Sequence, residues 1–409
     1  MKRRDVIKNL SILPAAGVIM GSTIPFESVV ASAPVSEAPA AAKPDLFKEL
    51  GVRTFINARG TITALSGCIM QDCVMDAING TSKKFCMIEE LQDKVGAKIA
   101  EMVHSEAAMV TAGCWSALVL GTAGAITGMD QKKVQQLPNT EGLKNEILVQ
   151  KTHNNGYVHA LKNTGAKIVE VETAEDVAKA INEKTAMMWF LSYAGPSGKI
   201  TDKEWVALGK KYNVPTMIDM AADVPPVSNL WKYNDMGFDM VCISGGKGLR
   251  GPQSAGILMG KKDLVAAARL SAPPKGGNIG RGMKVNKEEI LGMYAALKHY
   301  LSYDHEKEWK MWEDRIAVIN NAVKNIKGIT TEESVPEIAN HTPNLTIKWD
   351  PAKIKLTGSD MVKALYNGNP AIEANGGENS MSVAPWMMLP GEEKIVAARI
   401  KEELLKASV

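Results

Sequence analysis

A chain of 409 residues, 45% hydrophobic and 23% charged, has ample material for a core and for two or three domains. A formal charge of only +3 excludes the broad basic footprint of a nucleic-acid binder. Cys68, Cys73, Cys86, Cys114 and Cys242 match no zinc spacing, the six histidines include no HExxH, and nothing argues for a metal.

The chain opens on Lys2-Arg3-Arg4-Asp5-Val6-Ile7-Lys8, followed by an apolar stretch from Leu10 to Met20. Pro14 and the glycines break that stretch, and it is too short for stable insertion into a bilayer. With Ala31-Ser32-Ala33 as a cleavage site, residues 1–33 read as a bacterial twin-arginine signal peptide, which implies export of a folded protein to the periplasm. Cleavage would remove four basic and two acidic residues and leave about +1. Residues 34–44, rich in Ala and Pro, read as a disordered linker.

From residue 45 the pattern is an α/β protein. A short strand at 53–57 leads into Ala58-Arg59-Gly60-Thr61. Helices are expected at 71–79 and 88–103, the second with Leu91, Val95, Ile99 and Met102 on one face. A buried helix follows Thr111-Ala112-Gly113-Cys114-Trp115-Ser116 and runs to about Gly128. Strands (147–150, 166–171, 186–191, 215–218, 239–243) then alternate with helices (157–163, 174–181, 201–212), the last capped by Thr201 or Asp202. Such alternation predicts a mostly parallel sheet with helices on both faces, and ligands at the carboxyl ends of its strands. Two long helices (287–302, 306–327) lead to a smaller α+β unit with strands at 345–349, 371–373 and 381–383 and helices at 359–366 and 391–407. The expected organisation is therefore a large domain over 45–310, its N-terminal segment included, and a small domain over 311–409.

The chemistry concentrates where the run Met240–Ile243 stops at Ser244-Gly245-Gly246-Lys247. Glycines at a strand end let the backbone pass close to a ligand. A lysine desolvated there becomes a neutral amine able to attack a carbonyl. A Walker A loop does not fit, since no Ser or Thr follows Lys247. We read Lys247 as the Schiff-base lysine of pyridoxal 5'-phosphate, a cofactor that also needs an anion at its ring nitrogen and a phosphate cradle. Asp219, ending a strand 28 residues earlier, suits the first need. Backbone N–H groups of Gly113, Cys114 and Ser116 at a helix start suit the second, with the Ser244 hydroxyl beside them. His153, just past a strand end, is the candidate for stacking on the ring, with Trp115 as the competitor. Arg59 with Thr61, or Arg281, would hold an anionic substrate group.

These residues resemble fold-type I pyridoxal-phosphate enzymes of the bacterial selenocysteine synthase-like branch. Within that branch they are most similar to the D-glucosaminate-6-phosphate ammonia-lyase group. The match lies in Ile56-Asn57-Ala58-Arg59-Gly60-Thr61-Ile62-Thr63, Glu90-Leu91-Gln92, Val110-Thr111-Ala112-Gly113 and Ile218-Asp219. It continues through Ser244-Gly245-Gly246-Lys247-Gly248-Leu249-Arg250-Gly251-Pro252-Gln253 and Ile279-Gly280-Arg281-Gly282-Met283-Lys284-Val285. The resemblance implies Lys247 as the cofactor lysine, Asp219 as the pyridine partner and a homodimer or larger assembly. The chain departs from the group in two places. Glu373-Ala374-Asn375 follows Pro370-Ala371-Ile372 where an arginine is common, and bulky Cys114-Trp115 occupies a loop usually built of Gly and Ala. The expected activity is a lyase that releases ammonia from a β-hydroxy amino acid or amino sugar acid to give a 2-oxo acid. Racemase, aminotransferase and selenium transferase-like chemistry, or a non-catalytic exported binding protein of the same fold, are the alternatives.

Overall fold

The structure is a computed structural model that describes residues 44–409. Residues 1–33, read above as a signal peptide, and residues 34–43, read as part of a linker, lie outside the described residues. Residues 44–52 form a unit of their own, a single helical turn (Leu46–Leu50) capped by Asp45 and closed by Gly51 in a left-handed conformation. Arg53–Val409 form the second unit.

A seven-stranded sheet organises most of this unit. Its strands lie in the order Ala107–Thr111, Gly256–Gly260, Met240–Ser244, Thr216–Asp219, Thr185–Leu191, Glu146–Gln150 and Lys167–Val171. Gly256–Gly260 runs antiparallel to both neighbours, and all the other pairings are parallel. The inner strands, such as Thr185–Leu191 and Met240–Ser244, are buried almost throughout because both faces are covered, while the edge strand Lys167–Val171 exposes Lys167 and Glu170. Val241 and Ile243 enter the core on one face, while Met240 and Cys242 enter the core on the other. The helix Gly113–Thr127 is buried almost all round, which is why its sequence carries no amphipathic stripe.

The C-terminal part holds a four-stranded antiparallel sheet ordered Asn375–Gly376, Ser380–Val383, Asn344–Trp349, Ile329–Ser334. The strand Phe55–Asn57, grouped with the large domain on sequence, pairs in parallel with Ala371–Glu373, and Ile56 and Ala58 enter the core formed by Ile347, Ile372 and Val383. Helices Asn229–Met236 and Lys262–Leu270 and strand Ile329–Ser334 had no reading in the sequence. The first carries two Asn and one Asp in eight residues, poor helix formers held here by burial of Leu230 and Tyr233. The last is mostly exposed, with only Ile329 buried, so it shows no apolar alternation.

Helix Asp202–Tyr212 is capped by Thr201, in a reciprocal box with Glu204. Thr201→Ala should cost about 1 kcal/mol, while Asp202→Ala, which removes a first-turn charge and an exposed acceptor for the Lys203 N–H (2.8 Å), should cost less, a few tenths. Urea denaturation midpoints of the two variants measure the difference.

Candidate active site

Asp219 ends its strand and pairs in register with Cys242, while the neighbouring strand runs on to Ser244, three residues before Lys247. The topology thus delivers both side chains to the carboxyl edge of the sheet. They line one cavity of about 240 Å³ with Tyr157, Leu191, Tyr193, Ala221, Ala222, Asp223, Ala339 and Asn340. Its far wall comes from the C-terminal part. Ala339 and Asn340 both adopt positive φ (59° and 46°), and the Asn340 N–H donates to Ala222 O at 2.7 Å.

Asp219 is almost fully buried. Its Oδ1 accepts from the Ala221 N–H (3.0 Å) and the Cys114 thiol (3.5 Å). Oδ2 has no hydrogen-bond partner among the described residues, and neither has Lys247 Nζ. Burial pushes the Asp219 carboxyl above its ordinary range, against the Ala221 N–H, the Lys247 charge and the Cys114 thiol, which pull it down. A cation arriving at Oδ2 would favour the ionised form. Cys114 is held as the neutral thiol, by burial first and then by the charges of Asp219 and Cys242.

The glycines beside Lys247 serve the protein rather than a ligand. A Cβ on Gly248 would sit 1.9 Å from Val224 O, so only glycine lets the lysine loop lie against that segment. The helix start at Gly113–Cys114 lies against the edge of the same loop. A Cβ on Gly256, which pairs with Ser244, would be 2.7 Å from Cys114 N. That helix has no side-chain cap at its N-terminus, and Ser116 Oγ bonds back to Ala112 O, leaving first-turn N–H groups for an anion. Ser244 is partly buried, with no partner for its hydroxyl among the described residues. A ring-nitrogen acceptor, an amine and an uncapped helix start on one sheet edge fit pyridoxal phosphate.

Other candidates sit elsewhere. His153 is fully buried, wedged edge-on against Phe190 at 4.5 Å, with Nδ1 accepting the Leu191 N–H at 3.2 Å. It is a core histidine and cannot stack on a ligand; Tyr157 and Tyr193 are the aromatics on the cavity wall, and Trp115 is exposed. Arg59 does not line the cavity, because Glu373 (3.0 Å) and Asn375 (2.6 Å) engage its guanidinium. Thr61 acts one step back: its hydroxyl donates to Asn340 Oδ1 at 3.3 Å. Arg281 is exposed and away from the cavity lining. Sequence reasoning missed Tyr157, Tyr193, Asp223, Ala339 and Asn340. Only the small residues of Asp219-Met220-Ala221-Ala222-Asp223 hinted that the chain hugs a cavity there.

Comparison with known proteins puts this geometry in a defined class, the pyridoxal-phosphate-dependent enzymes of fold type I. A solved D-glucosaminate-6-phosphate ammonia-lyase superposes with a TM-score of 0.78 at 25% identity, covering 89% of this chain and 99% of that one. The chain belongs to the L-seryl-tRNA selenium transferase (SelA) family, whose model matches residues 55–358. Among its relatives, the D-glucosaminate-6-phosphate ammonia lyase of Salmonella typhimurium is 26% identical, over 88% of this chain and 98% of that protein. A 5'-C-glycyluridine monooxygenase-decarboxylase from Streptomyces sp is 27% identical, over 88% of this chain and 92% of that protein.

Burial lowers His153 to about 4, so between there and its unfolded value near 6.5 only the unfolded chain takes up a proton. That contribution to stability is present above pH 6.5 and is lost as pH falls towards 4. H153Q, which does not ionise there, should lose less stability than wild type across this window, as measured by urea midpoints at stepped pH.

Proposed function

We propose that the protein is a lyase that releases ammonia from a β-hydroxy amino acid or amino sugar acid and leaves a 2-oxo acid. The observation that carries this reading is that Lys247 and Asp219 share one cavity, in a chain similar over most of its length to an ammonia lyase. When bound, pyridoxal phosphate supplies an electron sink for the pair left on the substrate Cα. Lys247 would hold the aldehyde carbon, Asp219 Oδ2 the ring N–H, and Gly113, Cys114, Ser116 and Ser244 the phosphate. Tyr157 would face the ring. The Lys247 amine would also be the general base placed to take the α-proton.

The lining favours an unphosphorylated substrate. Its charged residues are Asp219, Asp223 and Lys247, so once Lys247 is committed it offers no cation to a phosphate. Arg59 is already neutralised by Glu373. Thr61 fixes Asn340 Oδ1 and leaves the amide N–H groups, with the Tyr193 hydroxyl, to meet substrate hydroxyls or a carboxylate. The twin-arginine reading of residues 1–33 supports the same preference, since phosphorylated metabolites are kept in the cytoplasm. We also take the working form to be a homodimer or larger.

Wild type reconstituted with pyridoxal phosphate should show the visible band of a lysine-bound cofactor and release ammonia from a panel of unphosphorylated β-hydroxy amino acids. K247A should lose both, and D219N should lose most of the turnover. A band and full turnover in K247A, read by absorbance and an ammonia assay, would sink the proposal.

A further inference from the structure

Asp223 is unexplained by the roles assigned so far. It is 2% exposed, yet it lines the cavity beside Lys247 and Asp219. Two buried hydroxyls converge on a single carboxylate oxygen: Ser192 Oγ and Tyr233 OH (3.0 Å) both reach Oδ2, and they lie 2.9 Å from each other. The main chain is pinned as well, with the N–H donating to Met220 O (3.1 Å) and the carbonyl accepting from Asn229 Nδ2 (2.7 Å). Oδ1 has no hydrogen-bond partner among the described residues. Helix capping does not account for this carboxyl, because its partners are side-chain hydroxyls from two separate elements rather than backbone N–H groups. Nor does ion pairing, since among the described residues it makes no salt bridge. A buried carboxyl held by one oxygen, on a residue that lines a cavity, is placed to meet something in that cavity.

We infer that Asp223 is the acid that gives its proton to the oxygen leaving the substrate, with Ser192 and Tyr233 as the residues that position it. The inference rests on the lyase reading. In the step, the Cα–H bond breaks and its proton goes to the Lys247 amine. The electron pair becomes the second Cα–Cβ bond as the Cβ–O bond breaks. The O–H bond of Asp223 breaks at the same time, its proton joins the departing oxygen and water leaves. Lys247 ends as the ammonium and Asp223 as the carboxylate. Hydroxide is a poor leaving group, so this is where an acid contributes most.

The surroundings suit an acid working near neutrality. Burial raises the Asp223 carboxyl to about 6, the two hydroxyls pull it down, Asp219 adds to the rise and Lys232 opposes it. Lys232 itself lies over the Tyr233 ring, its Nζ 4.7 Å from the centroid. Lys247, Tyr157 and Tyr193 are the remaining titratable groups on the cavity.

Chloride leaves without a proton, which separates this role from a structural one. Cofactor-loaded wild type and D223N are compared on racemic serine and D-glucosaminate, and on racemic β-chloroalanine. D223N should lose roughly 100-fold or more in kcat on the hydroxy substrates and far less on β-chloroalanine. The cofactor-free proteins provide a second readout. A protonated-carboxyl infrared band that disappears in D223N should titrate near pH 6, and Y233F, lacking a donor to the carboxylate, should shift its midpoint upward. Equal losses on the two kinds of substrate, no such band, or a wild type that turns over only β-chloroalanine would overturn the inference. Failure of wild type to bind the cofactor would instead remove the lyase reading on which it rests.

Discussion

A carboxylate buried at the edge of a parallel sheet without a cation bonded to it is costly, and the site is built around that cost. Asp219 is closed in by the Ala221 N–H and the Cys114 thiol on one oxygen only. The other oxygen has no partner among the described residues, and Asp219 lines a cavity shared with Lys247, whose amine has none among them either. Desolvation favours the neutral form of such an acid, and a protonated pyridine ring would reverse that preference by charge and by hydrogen bonding together. Fold, cavity and cofactor class therefore converge on one electrostatic requirement. The strand order that sets Asp219 beside the lysine strand meets it.

The same logic explains Cys114. Its bulk, which looked on sequence like an intrusion into the phosphate loop, is turned inward onto Asp219, while its neighbour Trp115 points to solvent. A buried neutral thiol donates weakly, so it steadies the carboxylate without supplying the charge that the ring nitrogen would bring. Glu373 is a comparable case. In place of a further cation near the substrate, the chain brings an anion to Arg59, and the balance of the cavity becomes acidic.

The parts of the fold that could be read from the sequence were those with a strong periodic signal. Apolar strands alternating with helices gave the mostly parallel sheet, and the strand ends gave two side chains that share one cavity, Asp219 and Lys247. What failed was any inference that depended on side-chain direction or on distant segments. His153 and Lys247 both follow strand ends, yet the first turns into the core and the second into the cavity, and one-dimensional spacing does not distinguish them. Glycines at 245, 246 and 248 were read as room for a ligand, whereas they accommodate neighbouring protein atoms. Asn340 carries no local signal at all, because its place at the cavity depends on a left-handed turn and a contact with Ala222.

The pairing of Phe55–Asn57 with Ala371–Glu373 has a bearing on how the protein is made. The strand Phe55–Asn57 has no partner until more than three hundred further residues have been synthesised. At a typical ribosomal pace of roughly 5–20 residues per second, that wait is about 15–60 s. Through that interval Ile56 has no core to enter, and that core is complete only once Leu404 has been made.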